Sequence, residues 1–177
     1  MILMLTLIAL SLAIQPAPDL AGVWTIDATR SAAVGGGTGE RDTAGGGRGG
    51  GLGLGVAPDR LTIRQDAGAI VVEERRGTTI TSLRYALDGS KTTNTVPAGR
   101  NSGASATYVT GWRNRRLVTS ITVPDAGGSG GVVTYEEVRY LDSGGSLVVE
   151  TTMTGRSNKR TTIYARASPT QGDQRRE

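Results

Sequence analysis

The sequence predicts an all-β protein, an antiparallel up-and-down meander of about eight to ten strands closed into a barrel. Three observations carry that expectation. Threonine and valine recur along the whole chain, which suits half-buried pleated surfaces, and there are no long runs of strong helix formers. Short alternating segments are punctuated throughout by Gly, Asp, Asn and Pro. Tight turns join most neighbouring segments, so consecutive strands should pair, and closure removes the two edges that an open meander would expose.

The segments follow in order. "LAGVWTID" places Leu20, Gly22, Trp24 and Ile26 on one face. "DRLTIRQD" carries Leu61 and Ile63, and "AIVVEERR" carries Ile70 and Val72, with Ala67-Gly68 as the turn between them. "TTITSLRYALDG" aligns Leu83, Tyr85 and Leu87 before Asp88-Gly89, a strong two-residue hairpin signal. "GASATYVTGWRNRRLVTSITV" is a hairpin with Asn114 at its tip. "VVTYEEVRYLDSGGSLVVETTMT" is another, turning at 142–145, and "KRTTIYARA" closes the domain. With no Phe, the core must come from aliphatic residues, five Tyr and two Trp.

The chain of 177 residues is expected to form one domain over 18–168. Residues 1–17 read as a signal peptide: an apolar run ending in small residues and proline, too short to span a bilayer comfortably, with cleavage expected between Ala13 and Ala17. The expected location is secreted or periplasmic, with no stable membrane anchor once the signal is removed. Residues 169–177 read as a disordered polar tail. Residues 31–57 read as a flexible insertion containing "GGGTGERDTAGGGRGGGLGLG", which holds nearly half of the 27 glycines. No Lys-Ser/Thr follows to make a phosphate loop, and no helix follows to make a dinucleotide fingerprint. One arginine with Glu40 and Asp42 nearby gives little grip on a phosphate backbone.

Cysteine and histidine are both absent. That removes disulfides, thiol nucleophiles, ordinary zinc sites and the base of a Ser-His-Asp triad. The net charge of +4 is spread along the strands, so no nucleic-acid partner is expected. Glu73, Glu74, Glu136, Glu137 and Glu150 could supply carboxylate acid–base chemistry, but the members of each doublet point to opposite faces. No enzyme activity, cofactor or metal is expected.

Gly22-x-Trp24 on a first strand, following a signal-like segment, resembles the short motif of lipocalin and wider calycin barrels. The resemblance extends over about 20–167, apart from the glycine insertion, to a group of secreted bacterial lipocalin-like proteins. It rests on the order of "DLAGVWTIDATRS", "LTIRQD", "YALDG", "GW…LV", "YLDSGGSLVVE" and "TTIYARA". It implies that Trp24 plugs one barrel end, that Gly22 allows close approach of another segment, and that Arg166 stacks over the indole.

The resemblance also implies a small hydrophobic or amphipathic ligand inside the barrel. Strand parity, anchored on Trp24, Leu61, Leu83, Leu117 and Leu147, turns Tyr85, Tyr108, Trp112, Glu136, Val138 and Tyr140 inward. Of these, Tyr85, Tyr108, Trp112, Glu136 and Tyr140 are the expected ligand-binding residues. Gln65, Glu74, Thr110, Thr119 and Thr151 share that face. A one-residue slip in the last long hairpin would instead bring Tyr135 inside. The alternative is a structural or protein-interaction barrel of the cell envelope with no small ligand, its aromatics serving as core.

Overall fold

The computed structural model describes residues 16–33, 56–98, 102–125, 131–157 and 159–168. The signal-like 1–15, the glycine-rich 34–55 and the tail 169–177 lie outside the described residues. The strands are β1 (Gly22–Ile26), β2 (Arg60–Gln65), β3 (Ala69–Arg76), β4 (Thr79–Ala86), β5 (Lys91–Thr95), β6 (Ser105–Arg113), β7 (Arg116–Pro124), β8 (Val132–Leu141), β9 (Leu147–Met153) and β10 (Lys159–Arg166). One helix, α1 (Ala28–Ala33), follows β1.

All ten strands belong to one antiparallel sheet in the order β4-β3-β2-β1-β10-β9-β8-β7-β6-β5. The first strand pairs with the last, with Trp24 opposite Arg166 and Ile26 opposite Tyr164. The result is a nearly closed up-and-down barrel. Its wall is incomplete at one seam. β4 and β5 were expected to form a hairpin through Asp88-Gly89, yet no ladder joins them. The chain does turn there, with Asp88 Oδ1 accepting from the Ser90 amide at 2.9 Å. Across the seam, the Asn94 side chain stands in for a ladder pair. Its Oδ1 accepts from the Arg84 amide at 3.1 Å and its Nδ2 donates to the Arg84 carbonyl at 3.0 Å.

At the opposite seam the fit is close. Trp24 is fully buried, and its Nε1 donates to the Leu20 carbonyl at 3.0 Å. The Arg166 guanidinium lies 4.5 Å from the indole centroid and donates to the Ala21 carbonyl at 3.1 Å. Gly22 has φ 140°, and a Cβ there would stand 2.7 Å from Arg166 Nη1. Glycine thus gives β1 a backbone that side chains disfavour and leaves room for the arginine.

The helix is local chemistry that the sequence reading missed. Asp27 Oδ1 accepts from the Arg30 amide at 2.9 Å, an ordinary N-cap. Ser31, within the span read as insertion, is buried against β10. Its hydroxyl accepts from the Ile163 amide at 2.9 Å, satisfying backbone that β1 leaves behind. Arg30 reaches the β8–β9 turn, pairing with Asp142 at 2.7 Å and donating to Ser146. At the other end of the span, Ala57 and Pro58 are also buried.

Candidate functional site

The barrel interior is lined by alternate residues of each strand, and register decides which ones. Thr119 stands opposite Glu137, Ile121 opposite Tyr135, and Leu117 opposite Arg139. Directly paired residues share a face, so Tyr135, Glu137 and Arg139 point inward with Leu117, Thr119 and Ile121. This corrects the expected parity of β8. Glu136 is exposed on the outer face. Val138 and Tyr140 share that face, with Arg116 4.2 Å above the Tyr140 ring and the Tyr140 hydroxyl donating to Glu150 at 3.3 Å. The cause is compositional. Both faces of "VVTYEEVRYL" carry two or more apolar residues and a glutamate, so hydrophobic pattern cannot choose between them. The face that wins is the one whose charges can pair inside.

The other expected residues sit as follows. Tyr85 and Tyr108 are buried together, their rings edge to face at 5.5 Å and 65°. Trp112 shares the Tyr108 face but lies near the end of β6, half-buried, opposite Leu117. The interior brings Tyr85, Tyr108 and Trp112 to one side of the wall and leaves Glu136 and Tyr140 outside it. Glu74, Thr110, Thr119 and Thr151 are buried within, and Thr110 donates to Thr119 at 3.1 Å.

The centre of the site is Arg139, a residue that sequence reasoning did not single out. It is 2% exposed, and after Trp24 it is the largest fully buried side chain among the described residues. Its Nη2 lies 2.7 Å from Glu137 Oε1 and 3.4 Å from the Tyr85 hydroxyl, and the guanidinium sits 5.1 Å from the Tyr85 ring centroid. The contact with Glu137 is a close approach of charges rather than an aligned hydrogen bond, since Glu137 Oε1 has no hydrogen-bond partner. Arg139 Nε and Nη1 are buried and likewise have none. Leaving such donors unmade costs about 1–3 kcal/mol each, and more on a charged group.

These groups border a cavity of about 30 Å³, enough for a water-sized occupant. Glu74, Arg76, Glu137, Arg139, Arg160 and Tyr164 reach it, with Ala57 and Pro58 on one side. Access there is set by strand length. The β1 ladder covers only the last part of β10, so Ala57 and Pro58 stand beside its earlier residues instead of a strand. Glu74 pairs with Arg76 at 2.8 Å, so each interior carboxylate has an arginine partner.

Burial raises the Glu137 carboxyl above its ordinary range, the Arg139 charge opposes that, and Glu74 adds to it. For Arg139, burial works to lower the pKa, but the Glu137 carboxylate, then Tyr85 and Glu74, outweigh it and hold the guanidinium charged. Burial also pushes the Tyr85, Tyr108 and Tyr164 hydroxyls upward, so they remain neutral donors. Two carboxylates therefore face one cavity, as acid–base chemistry would need. Each is nonetheless neutralised by an arginine, in a space too small for a substrate bond between them. The arrangement is a polar anchor: charged, buried and with donors on Arg139 and an acceptor on Glu137 left unpaired. Among the described residues no cluster of Asp and Glu could hold a metal ion.

No family model matches the chain, and no curated protein matches it. Solved structures do. A REP1-NXSQ fatty acid transporter shares 13% identity at a TM-score of 0.53, covering 85% of this chain and 98% of its own. Human cRBP IV shares 15% at 0.54, covering 85% and 99%. A variant of the fluorescent protein UnaG shares 20% at 0.53, covering 85% and 97%. At such identities the likeness is one of fold. Together with the ten-strand meander and the β1–β10 closure, it shows this chain's fold to be the nearly closed, up-and-down antiparallel β-barrel that those structures share.

Proposed function

We propose that the barrel binds a small amphipathic molecule whose polar end docks at Arg139. The observation that carries this reading is the pair of buried, unpartnered donors, Arg139 Nε and Nη1, beside a cavity in the barrel wall. A polar group supplied by a ligand would satisfy them, and buried polar groups are otherwise rarely left unpaired. The fold supports the reading, because a similarly built barrel is described as a fatty acid transporter. Binding requires the interior to widen, since pockets for drug-sized molecules usually occupy about 300–1,000 Å³. The long Arg139–Tyr85 hydrogen bond, at 3.4 Å, is the contact best suited to yield.

Native mass spectrometry of the protein purified without denaturation tests this. The expected result is a retained molecule of low mass that is lost in Arg139→Met. A wild-type protein that carries no adduct, and takes up none from a panel of short amphiphiles, overturns it.

One observation favours a second reading, a side-chain-filled barrel that acts through its surface. The interior space beside Arg139 is only about 30 Å³, and Tyr85, Tyr108, Tyr135 and Tyr164 fill much of the rest as core. On that reading the same experiment returns a bare protein.

The protein is further proposed to be exported, on the strength of the apolar N-terminal run and the small residues that follow it. N-terminal sequencing of the mature product should begin between about Ala13 and Pro18. Retention of Met1 would contradict export by this route.

A further inference from the structure

We infer that the barrel end carrying the β3–β4 turn docks on an anionic phospholipid surface. Docking of this kind requires no ligand inside the barrel, so it stands or falls apart from the ligand reading. Arg60 is paired with Arg75, and Arg75 with Ile80, so these three side chains form one row on the outer face of β2, β3 and β4. All three are exposed. Like charges directly opposite each other destabilise a sheet, so the row costs stability in the free protein. Arg75 Nε donates only to a neutral partner, the Gly77 carbonyl, at 3.0 Å. Arg60 belongs to no ion pair among the described residues. The neighbouring carboxylate, Asp59, is engaged by the Gly77 amide at 2.6 Å.

Exposed aliphatic side chains gather at the same end. Among the described residues the exposed large hydrophobics are Val56, Ile80 and Val132. Val56 is held at the first corner, where Arg76 Nε donates to its carbonyl at 3.0 Å. Val132 opens β8, and the ladders round the wall put that strand end level with the start of β4. The adjoining β9–β10 turn carries the exposed Arg156. Two corners, each with an aliphatic side chain and arginine, thus flank the mouth at Ala57 and Pro58.

A peptide or a small molecule would fill one corner, whereas a flat partner touches both. Arginine hydrogen-bonds lipid phosphate, and the aliphatic tips enter the boundary of the acyl chains. The opposite end supplies the contrast. Arg113 and Arg116 are likewise opposed and exposed there, but no exposed large hydrophobic accompanies them among the described residues. Arg116 is moreover laid over the Tyr140 ring.

The chain has no cysteine, so a single introduced thiol can carry an environment-sensitive nitrobenzoxadiazole label. Full-length Ile80→Cys, Val132→Cys and Arg113→Cys are labelled and mixed with vesicles of equal parts phosphatidylglycerol and phosphatidylcholine, or of phosphatidylcholine alone. With the anionic vesicles the labels at 80 and 132 should brighten and shift to the blue, and the label at 113 should not. Binding to phosphatidylcholine alone should be at least about tenfold weaker. Arg60→Gln and Arg75→Gln together should weaken binding to the anionic vesicles at least about tenfold, at about fivefold per cation. Should that double variant not fold, the labels decide alone. A response at 113 equal to that at 80 and 132 would mean docking by charge alone or by the apolar N-terminal run, and overturns the inference. Equal binding to both kinds of vesicle also overturns it. So does absence of binding to the anionic vesicles, which would leave the two corners to an acidic protein.

Discussion

The barrel has two seams built on opposite principles. Where β1 meets β10, three ladder pairs are flanked by further backbone hydrogen bonds from Asp27 to Ile163 and from Ala167 to Val23, each 2.8 Å long. Trp24 is sealed beneath, and Arg166 is laid across it. Where β4 faces β5 there is no ladder, and among the described residues the half-buried Asn94 amide spans the gap. Both seams join strands at the limits of their pairing. Only the first is also a packing centre. Closure of a barrel thus depends less on hydrogen-bond count than on whether a large side chain is buried under the join, because apolar burial resists local opening and exposed hydrogen bonds do not.

Breaking the strong seam should have the largest effect. Trp24→Ala is expected to cost about 3–5 kcal/mol, measured by urea denaturation, as the loss of a large, fully buried ring. A cost below about 1 kcal/mol would show that the indole is not what holds β1 to β10. Arg166→Ala should cost less, about 0.5–2 kcal/mol, since it removes a cation over an indole face and one hydrogen bond to Ala21. If both substitutions cost the same, the ring and the cation act as one unit, and a double substitution would then show strong non-additivity.

At the weak seam the expected change is local. Asn94→Ala removes both bonds to Arg84 but exposes no core, so global stability should fall by about 0.5–1.5 kcal/mol at most. Exchange of the Arg84 amide, followed by NMR, should accelerate much more than that of amides in β1 or β10. Uniform acceleration across the barrel would remove the distinction between the seams.

The smallest effect concerns the strap from α1. The Arg30 hydrogen bond holds the Asp142 carboxyl below its ordinary value of 3.8, opposed by slight burial and helped by backbone amides at Ser146 and Gly144. A lowered folded pKa stabilises above the unfolded value, and that contribution is lost as pH falls through the folded value. Asp142→Asn should therefore flatten the acid-side decline in stability below about pH 4, with a change of about 0.2–1 kcal/mol at neutral pH. An unchanged acid profile would mean that the strap contributes nothing.

The same contrast explains how much was legible in the sequence. The strong seam was readable because its signals are local and singular: Gly22 and Trp24 two residues apart, and Arg166 near the end of the last strand. The weak seam was not. Asp88-Gly89 is a sound turn signal, but a turn does not oblige its flanking strands to pair, and nothing near Asn94 marks it as a bridge.

The interior was readable where an apolar residue dominated one face, as in β2, β3 and β6. It was misread in β8, where charged residues stand on both faces and the buried Glu137–Arg139 pair reverses the hydrophobic logic. A signal was present: Glu137 and Arg139 are opposite charges spaced for one face. Taken with the opposing Thr119, that spacing could have suggested a polar interior. Helix α1 was missed although Asp27 precedes "ATRSAA", a usable capping signal on a segment of only six residues.

Native-state hydrogen exchange at the two seams tests the account most directly. The Arg84 amide, bonded to Asn94, is compared with the Asp27 and Ala167 amides that flank the β1–β10 ladder. Asp27 and Ala167 should be the better protected, and their protection should fall sharply in Trp24→Ala. Arg84 should exchange by local opening, insensitive to low denaturant in the wild type. Equal protection at both seams, or Arg84 protected to the level of global unfolding, would contradict a barrel closed on one side by buried packing and on the other by a single amide.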